Sequence, residues 1–305
     1  MSRPGGDPAT LDGMDGVESG DNVFRGWRRP GPLPPGGDTP GDGETLDFLC
    51  GSFRIFQAAR GHRYSTDDLL IAWWGVLSAP RVERLLDLGS GIGSVAMAAA
   101  WKLPGAHVVT IEAQPFSAAL ARRSVAFNGL AGRFRILEGD FRDPAALPGE
   151  APFDLVLGAP PYFEPGTATR ARHPQAVPAR ITLRGAVDAY AAAARRNLAP
   201  GGLFAFVWPV AREAEAQEAL ARERLLLLKR RDVVFREGER PLVALFAASR
   251  AEDLPADLPR GSEGFPVVEP PLVVRRRDGR HTTEYAAVRL SMGFPPGDLG
   301  VLPTP

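Results

Sequence analysis

The sequence predicts an α/β domain, doubly wound about a mostly parallel sheet of seven strands that ends in a C-terminal antiparallel hairpin. Three observations carry this expectation. Short apolar, β-branched runs recur at residues 84–88, 108–111, 134–137, 153–157 and 203–208, the content of strands buried on both faces. Helical patterns over residues 68–77, 94–102, 116–128, 183–198 and 212–224 alternate with them. Between the first strand and its helix lies Leu86-Asp87-Leu88-Gly89-Ser90-Gly91-Ile92-Gly93, which reads as a strand end, a glycine turn and a helix start.

The remaining elements follow in order. Residues 1–45 are rich in Gly, Pro and Asp, with too little apolar surface to offset the entropy of ordering them, and are expected to form a disordered arm. Residues 46–292 form the domain. Its helix over 183–198 is closed by Pro200-Gly201-Gly202, and residues 225–234 and 243–248 read as the antiparallel pair that completes the sheet. Residues 252–271 read as a break and 293–305 as a flexible tail. The 305 residues are 44% hydrophobic, enough to bury a substantial core.

Composition narrows the function. Cys50 is the only cysteine and the four histidines are scattered, so neither a disulfide framework nor a thiolate metal site is expected, and a reducing cytoplasm is the expected location. No run approaches the roughly 20 apolar residues of a membrane span, and the first residues lack a secretory signal pattern. Net charge is zero, so no global field favours a polyanion. Two arginine groups, Arg275-Arg276-Arg277 with Arg280 and Arg170, Arg172 and Arg180, read either as basic patches for nucleic acid or as solvated surface.

The glycine turn marks a ligand site, and Asp87 selects the ligand. Gly89, Gly91 and Gly93 let the backbone turn at positive φ and let a ligand lie against bare main chain beside Ser90. An acid directly before them repels a pyrophosphate and attracts a cation. The pattern therefore favours S-adenosylmethionine, with its ammonium and sulfonium, over a nicotinamide or flavin dinucleotide. Glu112 ends the second strand, where an acid accepts from both ribose hydroxyls. Asp140 follows the third strand and can accept from the adenine amino group while Phe141 packs on the ring. A glycine-rich loop with no ligand is the alternative.

The second constellation is Gly158-Ala159-Pro160-Pro161-Tyr162-Phe163, at the end of the fourth strand. Two prolines fix φ and remove two amide donors, which holds their carbonyls in set directions. An aromatic ring follows. Methylation of an exocyclic base amine needs such parts: an acceptor such as the Pro160 carbonyl to engage the N–H, and a face such as Tyr162 to stack the flipped base. A rigid loop with a core tyrosine is the competing reading.

Taken together, these segments resemble the bacterial tRNA1(Val) adenine-N6 methyltransferases. The resemblance rests on Leu46-Asp47 with Ile55-Phe56-Gln57, on Gly61-His62-Arg63-Tyr64-Ser65-Thr66-Asp67-Asp68-Leu69-Leu70, on the glycine turn, and on Pro160-Pro161-Tyr162-Phe163. It continues through Ala171-Arg172-His173 and His281-Thr282-Thr283-Glu284-Tyr285, covering about residues 46–290. It implies a Rossmann-like class I methyltransferase, with S-adenosylmethionine as cofactor and tRNA as partner. It also implies a reaction at Ala159, Pro160, Pro161 and Tyr162, on the adenine beside the anticodon, and puts Asp67 at the rim of the cofactor pocket.

One position departs from that family. Its loop begins with Asn or Asp, whose oxygen accepts from the target amine; here Ala159 stands there and accepts nothing. Losing one such partner costs about 10²–10³ in rate. Three readings stay open: a slow amine methyltransferase, an enzyme for another acceptor on a protein or small molecule, and a non-catalytic RNA-binding or scaffold protein that keeps the fold.

Overall fold

A computed structural model describes residues 22–61, 63–147, 149–150, 152–161, 186–255 and 265–299. Its strands are β1 (Val23–Phe24), β2 (Trp27–Arg28), β3 (Glu44–Phe48), β4 (Arg54–Ala58), β5 (Arg84–Leu88), β6 (His107–Glu112), β7 (Phe134–Glu138), β8 (Phe153–Gly158), β9 (Leu198–Pro209), β10 (Leu225–Arg236), β11 (Val243–Arg250) and β12 (Val267–Arg275). The α-helices are α1 (Thr66–Ser78), α2 (Ser94–Lys102), α3 (Pro115–Phe127), α4 (Val187–Asn197), α5 (Glu213–Arg222) and α6 (Thr283–Ser291).

The main sheet has the order β12-β10-β11-β9-β8-β5-β6-β7. From β5 the chain winds outward through β6 and β7, then reverses through β8 and β9, all parallel. The reversal between β5 and β8 is the switch point at which such sheets open a crevice. β11 and β10 form the expected antiparallel hairpin. The sheet has eight strands where seven were expected, because β12 pairs parallel to β10 from within the stretch read as a break. Pro270 and Pro271 suggest a break, but on an edge strand their missing N–H groups disturb little, and the pairing register slips beside them.

Both faces of the sheet are covered. Alternate side chains of β5, β8 and β9, among them Leu85, Leu155, Leu157 and Ala205, pack with α1, α2 and α6. Their neighbours Leu86, Leu88, Val156, Phe204 and Phe206 pack with α4 and α5. Among the described residues no helix is long and apolar enough to cross a membrane.

The expected arm and tail divide. Residues 1–21 and 300–305 lie outside the described residues, but 22–45 and 293–299 are packed on the domain. Arg123 of α3 donates to Asp38 at 2.7 Å, Glu44 at 2.6 Å and the Thr39 carbonyl at 2.8 Å. The Gly51 N–H donates to the Gly293 carbonyl at 2.6 Å, and Phe294 is buried. Every one of these partners is remote in sequence, so composition alone gives no sign of them. The β3–β4 hairpin, likewise unforeseen, is pinned to α3 by Ser124 and Asn128, which bond the backbones of Phe56 and Arg54.

Candidate functional site

Register brings the loops of the site together. Leu88 lies opposite Ile111 on one side and Gly158 on the other, and Ile111 opposite Leu137. The segments that follow β5, β6, β7 and β8 therefore leave the sheet at one level and line a single cavity, which includes Asp87, Gly89, Ser90, Gly91, Glu112, Asp140, Phe141, Ala159 and Pro161.

Two expected residues stand behind that wall. Gly93 caps α2 at φ 82°, with Ala121 3.3 Å from where a Cβ would stand, so its smallness serves helix packing. Pro160 is buried and does not line the cavity, whereas Pro161 does. Tyr162, Phe163, Arg170, Arg172 and Arg180 lie outside the described residues.

The turn keeps its wall bare. Gly91, at φ 56°, has nothing within 4 Å of a would-be Cβ, which is space that a ligand can use. At Gly89 the same test finds the Tyr190 hydroxyl at 2.5 Å. Sequence reasoning missed Tyr190, because a tyrosine in an Ala-rich helix reads as core. It lines the cavity from α4, with its ring centroid 4.5 Å from that of Phe141. Burial, together with Glu112, Asp87 and Asp140, raises its phenol well above the ordinary range, so it stays protonated.

The acids differ in their partners. Asp87 is 1% exposed, and its Oδ2 accepts from the Ala96 N–H at 3.2 Å. The Glu112 Oε2 accepts from the Gly91 N–H at 2.8 Å and Oε1 from the Gln114 N–H at 2.7 Å, so this acid shapes the turn from the cavity wall. Asp140 is engaged by Arg142, whose Nε lies 2.9 Å from both carboxylate oxygens, and a ligand amine must share it. Asp67, expected at the rim, is buried in the first turn of α1 and does not line the cavity; its neighbour Asp68 does.

Residues 69–224, just over half of the chain, match the family model of the methyltransferase small domain. The chain belongs to that family. The tRNA1(Val) (adenine(37)-N6)-methyltransferase of Porphyromonas gingivalis is 29% identical over 260 residues, covering 81% of this chain and 94% of the relative, which bears out the resemblance read from the sequence. The release factor glutamine methyltransferase of Geobacter sulfurreducens is 35% identical over 119 residues, 39% of each chain. A solved structure from Agrobacterium tumefaciens, described as a predicted O-methyltransferase, superposes with a TM-score of 0.56 at 22% identity over 75% of this chain and 98% of that one, a likeness of fold.

This methyltransferase uses S-adenosylmethionine. The cavity fits a cationic ligand: Asp68, Asp87, Glu112 and Asp140 line it, and no Lys, Arg or His does among the described residues. Ser90, 7% exposed, also lines it, and its buried Oγ has no hydrogen-bond partner among the described residues. Such a buried orphan is costly unless a ligand completes it.

The same acids strain the protein without ligand. Burial, then Asp68, raises the Asp87 carboxyl well above its ordinary 3.8, against the pull of the Ala96 N–H; Glu112 raises it further. A carboxyl with a raised folded value holds more protons folded than unfolded. Its contribution to stability therefore falls as pH climbs from 3.8 through the raised value. Asp87→Asn should raise the thermal midpoint of the cofactor-free protein at neutral pH, by roughly 2–4 °C for each kcal/mol relieved, while weakening cofactor binding. Differential scanning calorimetry checks this; a lowered midpoint contradicts it.

Proposed function

We propose that this enzyme methylates N6 of an adenine in tRNA, with the position beside the anticodon of valine tRNA as acceptor, in the cytoplasm. The observation that carries the reading is the Gly158-Ala159-Pro160-Pro161 segment opening from β8 onto the acid-walled cavity. Its similarity along 94% of a tRNA1(Val) adenine-N6 relative supports the choice of acceptor.

The chemistry that S-adenosylmethionine brings here is a methyl group on a cationic sulfur, open to direct displacement by a nucleophile. The protein's task is positioning and charge. In this reading Asp87 attracts the cationic end, and Gly89, Ser90 and Gly91 leave backbone and one hydroxyl free to touch it, with Gly93 starting α2 behind them. Glu112 takes the ribose hydroxyls from the end of β6. Asp140 accepts from the adenine amine in competition with Arg142, and Phe141, backed by Tyr190, packs on the ring. Pro160, buried behind the wall and without an N–H, would keep the loop rigid, while Pro161 and Ala159 on the cavity wall would face the acceptor amine. Tyr162 would stack the target base.

Ala159 and the similarity to a release factor glutamine methyltransferase favour a second reading, methylation of a protein amide. The two separate on one substitution. Ala159→Asn should restore an acceptor oxygen and raise N6-methyladenosine in valine tRNA about 10²-fold, read by mass spectrometry of nucleosides. Lower turnover on tRNA, or no N6-methyladenosine from either form while cofactor still binds, counts against the adenine reading.

The basic turn after β12 supports RNA as partner. Arg276, Arg277 and Arg280 are exposed there and Arg275 is half-buried. β12 runs parallel to β10, which runs with β9 and β8, so this turn lies on the same edge of the sheet as the cavity. Phosphate contacts release counterions, and RNA affinity should therefore fall steeply with salt. Replacing Arg275, Arg276 and Arg277 with Ala should flatten that slope by about 0.7 for each single-strand phosphate that is no longer neutralised, measured by filter binding. An unchanged slope takes this run out of the interface.

A further inference from the structure

Asp68 gives the cofactor cavity a second buried acid, and it comes from a different element than Asp87. It is the third residue of α1, is 9% exposed, and lines the cavity. Its Oδ2 accepts from Ser94 Oγ at 2.6 Å and from the Ser65 N–H at 3.3 Å. Ser94 begins α2, and Ala96, two residues on, is the donor to Asp87. One helix N-terminus thus holds two carboxylates side by side, with hydrogen bonds and the helix dipole to offset their charge among the described residues. Glu112 shares the wall, Asp140 is held by Arg142, and Tyr190 lines the cavity as a neutral phenol. Ser90 lines it too, and its buried Oγ has no hydrogen-bond partner among the described residues.

We propose that Asp68 is a specificity-determining residue of the cofactor site: with Asp87 it forms a carboxylate pair, without a counterion among the described residues, that favours the sulfonium cofactor over its neutral thioether product and releases a proton when the cofactor binds. The inference rests on reading this cavity as the cofactor site. Two carboxylates sharing one desolvated place do not both ionise readily, and burial raises each of them, Asp87 the more for facing Asp68. The ammonium is common to cofactor and product, so the sulfonium, present in S-adenosylmethionine alone, acts as the missing counterion; the pair then ionises fully and its proton leaves to solvent. S-adenosylmethionine carries one positive charge more than S-adenosylhomocysteine. Once the methyl group has left, that charge is gone, the pair takes a proton back from solvent, and the hold on the product weakens.

Calorimetric titration of the full chain with each of the two ligands, in two buffers of different ionisation heat near neutral pH, tests this. The wild-type protein should release more protons to S-adenosylmethionine than to S-adenosylhomocysteine and should prefer the former. Asp68→Asn keeps the helix cap and should abolish the difference in proton release, while cutting the preference about tenfold. Ser94→Ala keeps both charges and removes one donor, so it should move the pH dependence of cofactor binding upward. Equal proton release for both ligands, an unchanged preference in Asp68→Asn, or an unmoved pH profile in Ser94→Ala overturns the inference and leaves the cofactor site standing. A wild-type protein that binds neither ligand overturns both.

Discussion

The register of the parallel strands is the constraint on which the rest depends. Because Leu88 is level with Ile111 and Gly158, three loops with different chemistry leave the sheet at one height and face one space. A one-residue slip of a strand would turn its apolar side chains from one covered face to the other, and the packing of both helix layers forbids that. The glycine turn, Glu112 and the proline loop are therefore brought together by the core, and Glu112 is further tied to the turn by the Gly91 N–H. Gly158 itself is tied to this packing, since a Cβ there would meet the Tyr190 ring at 2.7 Å.

Charge inside that space is arranged for a ligand, at some expense to the fold. A buried carboxylate is ordinarily paired or shielded. Here Asp87 has one long backbone hydrogen bond and Asp68 has two serines, while, among the described residues, Arg142 is committed to Asp140 and Arg196 to the Phe141 carbonyl. The arrangement is destabilising in isolation and is relieved by a cation, which ties the cofactor's charge to the integrity of its own pocket. The segment after β8 is built differently. It has rigid backbone at Pro160 and Pro161 and no side-chain oxygen at Ala159.

Much of this was legible in the sequence wherever the determining residues are neighbours along the chain. β5 and α2 lie where the apolar run and the alanine-rich run put them, because the glycine turn between them punctuates both. Asp87, Glu112 and Asp140 were readable from their places at consecutive strand ends. Asp68 was not, since an acid at the third position of a helix reads as a cap, which it also is. Tyr190 was hidden for a similar reason, as an apolar-looking residue on a buried helix face. The packing of residues 22–45 depends on Arg123, more than 75 residues away, and the edge strand β12 is disguised by its prolines.

On this reading an acid-walled glycine turn selects a cationic methyl donor over a dinucleotide. Equilibrium binding of S-adenosylmethionine and of NAD to the purified chain, and to its Asp87→Ala form, tests this selection. The wild-type protein should bind S-adenosylmethionine and not NAD, and loss of Asp87 should abolish or greatly weaken that binding. Binding of NAD, or S-adenosylmethionine affinity unchanged in Asp87→Ala, would contradict it.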